Sequence, residues 1–182
     1  TILRGRTVVG ANCEIGPNTM LVDCTVGDGV TINSSQCNES TIDSGAHVGP
    51  FAYIRPNCHV GADVKVGDFV ELKNSTIGEG TKISHLTYVG DADVGRKVNF
   101  GCGTVLVNYD GNRKYRSTIG DHCFIGCNTN LVSPVHIGDG AYTAAGSTIT
   151  QDVEPDALAI ARARQVAKPG WAAAHRAKKD AK

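Results

Sequence analysis

The stretch Val48-Gly49-Pro50-Phe51-Ala52-Tyr53-Ile54-Arg55-Pro56-Asn57-Cys58-His59-Val60-Gly61-Ala62-Asp63-Val64-Lys65-Val66-Gly67 repeats one phrase. An aliphatic residue is followed by glycine or a stand-in for it, and four positions after the aliphatic residue comes a small one. Val48, Ile54, Val60 and Val66 mark the steps; Ala52, Cys58 and Val64 are the small partners. The phrase runs back through Ile42-Asp43, Ile32-Asn33, Val26-Gly27, Ile15-Gly16 and Val9-Gly10. It runs forward through Leu72-Lys73, Ile77-Gly78, Ile83-Ser84, Val89-Gly90, Val94-Gly95 and Phe100-Gly101. After a gap it resumes at Ile119-Gly120, Ile125-Gly126, Leu131-Val132 and Ile137-Gly138. A period kept over so much of the chain implies a repeat architecture.

Six residues make a short extended segment plus a tight turn. Inward positions of an extended chain differ by two or four, so the aliphatic residue and its small partner both face the interior. Three steps close a triangular coil of about 18 residues, and coils stack about 4.8 Å apart. About 24 steps give roughly eight coils and a prism near 40 Å tall. Glycine after the aliphatic residue is expected to supply backbone freedom there. The fold class is therefore all-β, a parallel β-helix solenoid of hexapeptide repeats. It is expected over residues 1–152, with a protruding insertion loop at about 107–118 and a C-terminal arm or helix over 153–182.

Composition agrees. Of 182 residues, 41% are apolar but only 5% aromatic, against 22 glycines, as a slim aliphatic interior requires. Eighteen basic and eighteen acidic residues cancel, so bulk charge indicates no nucleic-acid partner. The balance is uneven along the chain. Residues 157–182 carry seven bases (Arg162, Arg164, Lys168, Arg176, Lys178, Lys179, Lys182) against Asp180 alone, an arm suited to a phosphorylated ligand or a neighbouring subunit. No apolar run reaches the roughly 18 residues of a membrane span, and no signal peptide opens the chain. Thr1 in place of Met suggests a fragment or a processed product. Seven cysteines, none in a Cys-x-x-Cys pair, read as free thiols in a reducing, cytoplasmic setting. Cys13, Cys58 and Cys123 fall in the small inward slot and read as small buried hydrophobes.

In so regular a chain the departures from the repeat are the informative residues. Arg55 and Lys73 take the slot otherwise given to glycine, one coil apart. Two cations about 5 Å apart repel by about 3 kcal/mol at an effective dielectric of 20, so an anion is expected to offset them. That anion is either a bound phosphate or Glu71. His85 should stack on Asp68 below and Cys102 above, and Tyr88 on Glu71. The long gap holds Asn108-Tyr109-Asp110-Gly111-Asn112-Arg113-Lys114-Tyr115-Arg116-Ser117, a turn-rich loop that must leave the prism and could reach a second one.

Several of these segments go beyond a generic hexapeptide repeat. They are Gly49-Pro50-Phe51-Ala52-Tyr53-Ile54-Arg55-Pro56, Phe69-Val70-Glu71-Leu72-Lys73, His85-Leu86-Thr87-Tyr88-Val89-Gly90-Asp91-Ala92 and Val107-Asn108-Tyr109-Asp110-Gly111. Ala157-Leu158-Ala159-Ile160-Ala161-Arg162 and Gly170-Trp171 follow near the end. Together they closely resemble the C-terminal acetyltransferase domain of the bacterial N-acetylglucosamine-1-phosphate uridyltransferase/glucosamine-1-phosphate N-acetyltransferase family. The resemblance covers nearly all of the chain and implies a left-handed coil. It also implies a homotrimer with sites where subunits meet, and acetyl transfer from acetyl-CoA to glucosamine 1-phosphate in the cytoplasm on the way to UDP-N-acetylglucosamine. His85 matches the general base, with Glu71 as its orienting carboxylate. Arg55, Lys73 and Lys114 match phosphate contacts, and Tyr88, Asn99 and Tyr109 sugar contacts. Asn108 matches a residue by the thioester, and Tyr109 is shared with the acetyl-CoA site. Cys102, Cys127, Ala145 and Arg162 match acetyl-CoA contacts, with Trp171 in the tail that completes that pocket. The family's Gly-rich nucleotide loop is missing from this chain, so neither uridylyl transfer nor the magnesium ion of that half is expected; acetyl transfer itself calls for no metal.

Four other readings remain open on the residues. One is covalent catalysis through Cys102. Another is a zinc site of the kind that hexapeptide carbonic anhydrases build from shared histidines, against which His85 has no histidine on an adjacent coil of its face. The others are an acyltransferase with a different amino-sugar acceptor, and a non-catalytic scaffold.

Overall fold

The computed structural model describes residues 1–180; Ala181 and Lys182, the end of the expected basic arm, lie outside the described residues. The chain winds as a three-faced parallel β-solenoid. The first face is a nine-stranded sheet running from Ile2–Arg4 to Thr148–Ile149. The second has eight strands, from Val8–Val9 to His136–Ile137, and the third nine, from Glu14–Ile15 to Leu158–Ala159. Every pair within a sheet is parallel, and consecutive strands always lie on different faces.

The core follows the period. On the first face Ile54 lies level with Leu72 and Leu72 with Val89, all fully buried. On the third, Ile83, Phe100 and Ile125 align in the same way. The small inward slot behaves as expected, with Cys58, Ser75 and Ala92 buried. Where that slot is polar, the hydroxyl is satisfied locally: Ser75 donates to the Lys73 carbonyl at 2.8 Å and Thr87 to the His85 carbonyl at 2.7 Å. Among the described residues no buried side-chain nitrogen or oxygen lacks a partner. All seven cysteines are free, and burial pushes the thiols of Cys24, Cys37, Cys58 and Cys123 up, so these four act as small apolar groups.

Three expectations need correction. The coils number about nine rather than eight, because strands at Ile2–Arg4 and Leu158–Ala159, outside the run of markers, also join the sheets. For the same reason the solenoid passes residue 152: Val153 bridges Ile137, and Thr148 donates its N–H to the Ala161 carbonyl at 3.0 Å. The C-terminal arm therefore starts near residue 162. Finally, most glycines after the aliphatic residue answer to space rather than to backbone freedom; only Gly16 and Gly49 have the expected positive φ, 129° and 108°. Gly61, Gly67 and Gly78 lack positive φ, but a Cβ at any of them would collide with backbone of the next coil. The left-handed residues sit at the corners instead, as at Asn57, Asn74 and Asp91 (φ 62°, 46° and 53°).

The insertion leaves between the strands Val105–Val107 and Ser117–Ile119. Tyr109 and Lys114 bridge antiparallel across its neck. Asp110 closes the tip by accepting from the Asn112 and Arg113 N–H groups at 2.7 and 2.6 Å. Arg116 pins the base, donating to both Asp93 oxygens at 2.5 and 2.7 Å and to the Asn74 and Ala92 carbonyls at 2.9 and 3.1 Å. Beyond the solenoid a helix spans Trp171–Asp180, where the Trp171 and His175 rings stack 4.8 Å apart. No helix of the described residues is long and apolar enough to cross a membrane.

Candidate functional site

Arg55 and Lys73 do fall on the same face. The strand Tyr53–Ile54 pairs with Glu71–Lys73 so that Tyr53 is level with Glu71 and Ile54 with Leu72, which brings Arg55 beside Lys73. Each has its own acid. Arg55 donates to Glu71 at 2.8 Å, and Lys73 donates to both oxygens of Asp91 at 3.1 Å. The offset that the sequence demanded is thus supplied from within. Lys114, on the insertion loop, is the third cation of this face. The neighbouring Lys73 ammonium, aided by Arg55, lowers its affinity for a proton. Burial works against the charge on Lys73, but the bonds from its neighbours and the Asp91 charge outweigh it and raise its pKa. Three cations face two carboxylates, which leaves one positive charge in excess for an anionic ligand.

Tyr88 lies level with Glu71 at the centre of this face, as expected. The Asn108 amide donates to the Tyr88 hydroxyl at 3.3 Å and to Asp91 at 2.5 Å. Gly90 gives this arrangement its room, since a Cβ there would meet the Tyr88 hydroxyl and the Asn108 amide nitrogen. Asn108 is therefore a buried member of the cation network. Tyr109 is exposed, and its hydroxyl donates to the Gly111 carbonyl at 2.7 Å within its own loop.

His85 ends the strand Lys82–His85 on the third face, at the corner with the first. Asp68 is level with it, and its Oδ1 lies 2.9 Å from His85 Nδ1. The bond to His85 draws the Asp68 carboxyl below its usual range. This corrects the expected partner: the carboxylate on His85 is Asp68, whereas Glu71 is engaged by Arg55. A second such pair, His59 with Asp43 at 2.7 Å, stands on the second face, so the pair alone does not single out His85. The two differ in the residues stacked above them. Registers of Ile83 with Phe100, Phe100 with Ile125 and Ile125 with Thr143 carry Cys102, Cys127 and Ala145 into one column above His85. Arg162 lies at the top of that column, its Cδ 3.8 Å from where a Cβ on Gly146 would stand.

Other candidates stand apart. Asn99 is on the third face, level with Lys82 and Phe124, at the far end of the strand from the His85 corner. Trp171 is exposed on the terminal helix. No hydrogen bond among the described residues joins His85 to the cations of the first face. Nor does any group of three His, Cys, Asp or Glu side chains among them have the geometry to hold a metal ion. Sequence reasoning missed Asp91, Gly90, Asn74 and Arg116. The closely spaced acids of Gly90-Asp91-Ala92-Asp93, just before the insertion, were the available signal.

Fold and repeat together define a hexapeptide-repeat β-solenoid. The family model for the GMPPB C-terminal domain matches residues 36–109, and that for the bacterial transferase hexapeptide (six repeats) matches residues 116–151. Among curated proteins, the chain is 58% identical over 93% of its length to "Bifunctional protein GlmU" of Clostridium kluyveri, and 57% identical over 94% to the protein of that name from Brevibacillus brevis. It spans 37% of the length of each. Among solved structures, LpxA from Acinetobacter baumannii superposes with a TM-score of 0.75 at 15% identity, over 97% of this chain and 78% of that one. A variant of GDP-perosamine N-acetyl transferase from Caulobacter crescentus, in complex with CoA and GDP-perosamine, gives 0.51 at 23% identity, over 71% and 56%. These two likenesses speak for the fold.

Proposed function

We propose that the chain transfers the acetyl group of acetyl-CoA to the amine of glucosamine 1-phosphate, with His85 as general base. The observation that carries this reading is the gathering of Arg55, Lys73 and Lys114 on one face, one corner away from a histidine held by a carboxylate. Identity of 58% to a GlmU protein supports the choice of acceptor.

The cations hold the phosphate and Tyr88 and Tyr109 the sugar, with Asn99, on the third face, reaching it from a neighbouring copy. With Asp68 ionised, His85 Nδ1 carries the hydrogen and Nε2 is left as the proton acceptor. The imidazole so oriented can take the proton of the attacking amine. The amine nitrogen bonds to the thioester carbonyl carbon and the carbon–sulfur bond breaks. The proton passes to Nε2 and from there to the departing sulfur, so CoA leaves as the thiol and His85 returns to its neutral form. Holding both substrates together supplies proximity. The column of Cys102, Cys127 and Ala145 offers a track for the CoA arm, used through backbone groups, with Asn108 near the thioester and Arg162 and Trp171 at its far end. In this reading the site closes between copies in a homotrimer, which brings a His85 corner to a cation face. The step uses no metal, nucleic acid or membrane, and the cytoplasm is its setting.

Thiol release from acetyl-CoA, followed with and without glucosamine 1-phosphate, tests the proposal. Release that depends on this acceptor is expected; release only with another amino sugar, or none, contradicts it. His85→Ala should cut turnover by about 10²- to 10⁴-fold, with both Michaelis constants little changed. Wild-type turnover in that variant would remove His85 from the role.

A further inference from the structure

We propose that Asp91 is a positioning residue for the acceptor site. Its buried carboxylate holds the Lys73 ammonium at the first face and, through the Asn108 amide, turns the Tyr88 hydroxyl outward as a hydrogen-bond donor. The inference rests on the reading that this face takes a phosphorylated amino sugar.

Asp91 is 6% exposed. Its Oδ1 accepts from Lys73 at 3.1 Å and from the Asn74 amide at 2.7 Å. Its Oδ2 accepts from Lys73 at 3.1 Å and from the Asn108 amide at 2.5 Å. Burial works to raise its pKa, but the bonds from Asn74, Lys73 and Asn108 outweigh it and hold the group below the usual carboxylate range. An ionised carboxylate only accepts hydrogen bonds, so the group that Asn108 turns toward it must be the NH₂. That fixes the amide, whose second hydrogen goes to the Tyr88 oxygen. Tyr88 then has its own proton free to give. Lys73 keeps hydrogens beyond those aimed at Asp91, and its side chain is 17% exposed, enough to meet a ligand from a fixed place. Without the charge at 91 the amide is free to flip and Lys73 loses its anchor. Asp93, two residues on, clamps Arg116. The two acids therefore bind both ends of the insertion, Asn108 where it leaves and Arg116 where it returns.

Asp91→Asn preserves shape and removes the charge. The Michaelis constant for glucosamine 1-phosphate should rise about tenfold or more, while that for acetyl-CoA stays within about twofold. A merely structural role would not split the two. Asn74→Gly is the gentler variant: it removes one donor to Asp91 at a corner whose φ of 46° suits glycine, and a smaller rise in the same constant is expected. A second arm needs no turnover. Lys73 is labelled with an amine-reactive ester, with and without inorganic phosphate, and read by peptide mass spectrometry against exposed Lys65 and Lys82. Phosphate should shield Lys73 in the wild type and fail to do so in Asp91→Asn.

If the wild type acetylates no glucosamine 1-phosphate, the acceptor assignment fails and labelling alone decides Asp91. Equal shielding in both proteins, or none in the wild type, overturns the proposal. In an active enzyme, Michaelis constants that rise together or not at all overturn it too. Should Asp91→Asn not fold, Asn74→Gly decides by the same two readouts.

Discussion

A methyl group at position 90 would occupy the space taken by the Tyr88 hydroxyl and the Asn108 amide. The backbone there has no positive φ, so alanine is tolerated by the chain and resisted only by the site. Gly90→Ala should therefore fold normally yet raise the Michaelis constant for glucosamine 1-phosphate by about tenfold, as small misplacements of binding groups do. Circular dichroism and steady-state kinetics together check this; an unchanged constant would mean that Tyr88 does not touch the acceptor. At this scale the sequence was legible where counting suffices. Lys73 over Arg55, Glu71 level with Tyr88 and Asp68 level with His85 all follow from the period. Counting cannot say which oxygen a side chain reaches. Both Glu71 and Asp68 lie one coil below the His85–Tyr88 segment, and rotamers assign Glu71 to Arg55 and Asp68 to His85. The spacing of Asp91 and Asp93 marks the place, but the role of Asp91 depends on burial at a left-handed corner, which spacing alone does not reveal.

The insertion is the one element that breaks the winding, and Arg116 is what ties it down. Its guanidinium spans Asp93 and two carbonyls of different coils. Arg116→Ala should loosen the loop, seen as faster amide exchange from Asp110 to Lys114 while exchange in the core strands is unchanged. A loop that exchanges at the wild-type rate would show that the clamp is idle. The same clamp has a pH signature. The bond from Arg116 holds the Asp93 carboxyl below its usual value. The stability it contributes is fully present above the unfolded carboxylate pKa, near 3.9, and is lost as pH falls through the lower folded value. Melting temperature should thus drop on acidification through that window, and drop less in Arg116→Ala; equal acid sensitivity would contradict the assignment. The sequence marked the loop from the missing repeat steps and turn residues, but its anchor is a long-range contact no local signal announces.

For the whole molecule the repeat explains nearly everything: three faces, a slim core and residues brought together from distant coils. Leu72, fully buried between Ile54 and Val89, should cost about 2–5 kcal/mol on truncation to alanine. Because each coil rests only on its neighbours, the loss should weaken the stack beneath the cation face as a unit; denaturant unfolding would show it. What the period could not supply were the ends, since strands at Ile2–Arg4 and Leu158–Ala159 join the sheets outside the run of markers. The account as a whole turns on whether the first face reads a phosphate. The most direct measurement is kcat/KM for glucosamine 1-phosphate relative to unphosphorylated glucosamine, in the wild type and in Lys73→Ala. A preference of at least about tenfold for the phosphorylated sugar, largely erased in the variant, is predicted. A wild type indifferent to the phosphate, or a variant that keeps the full preference, would contradict it.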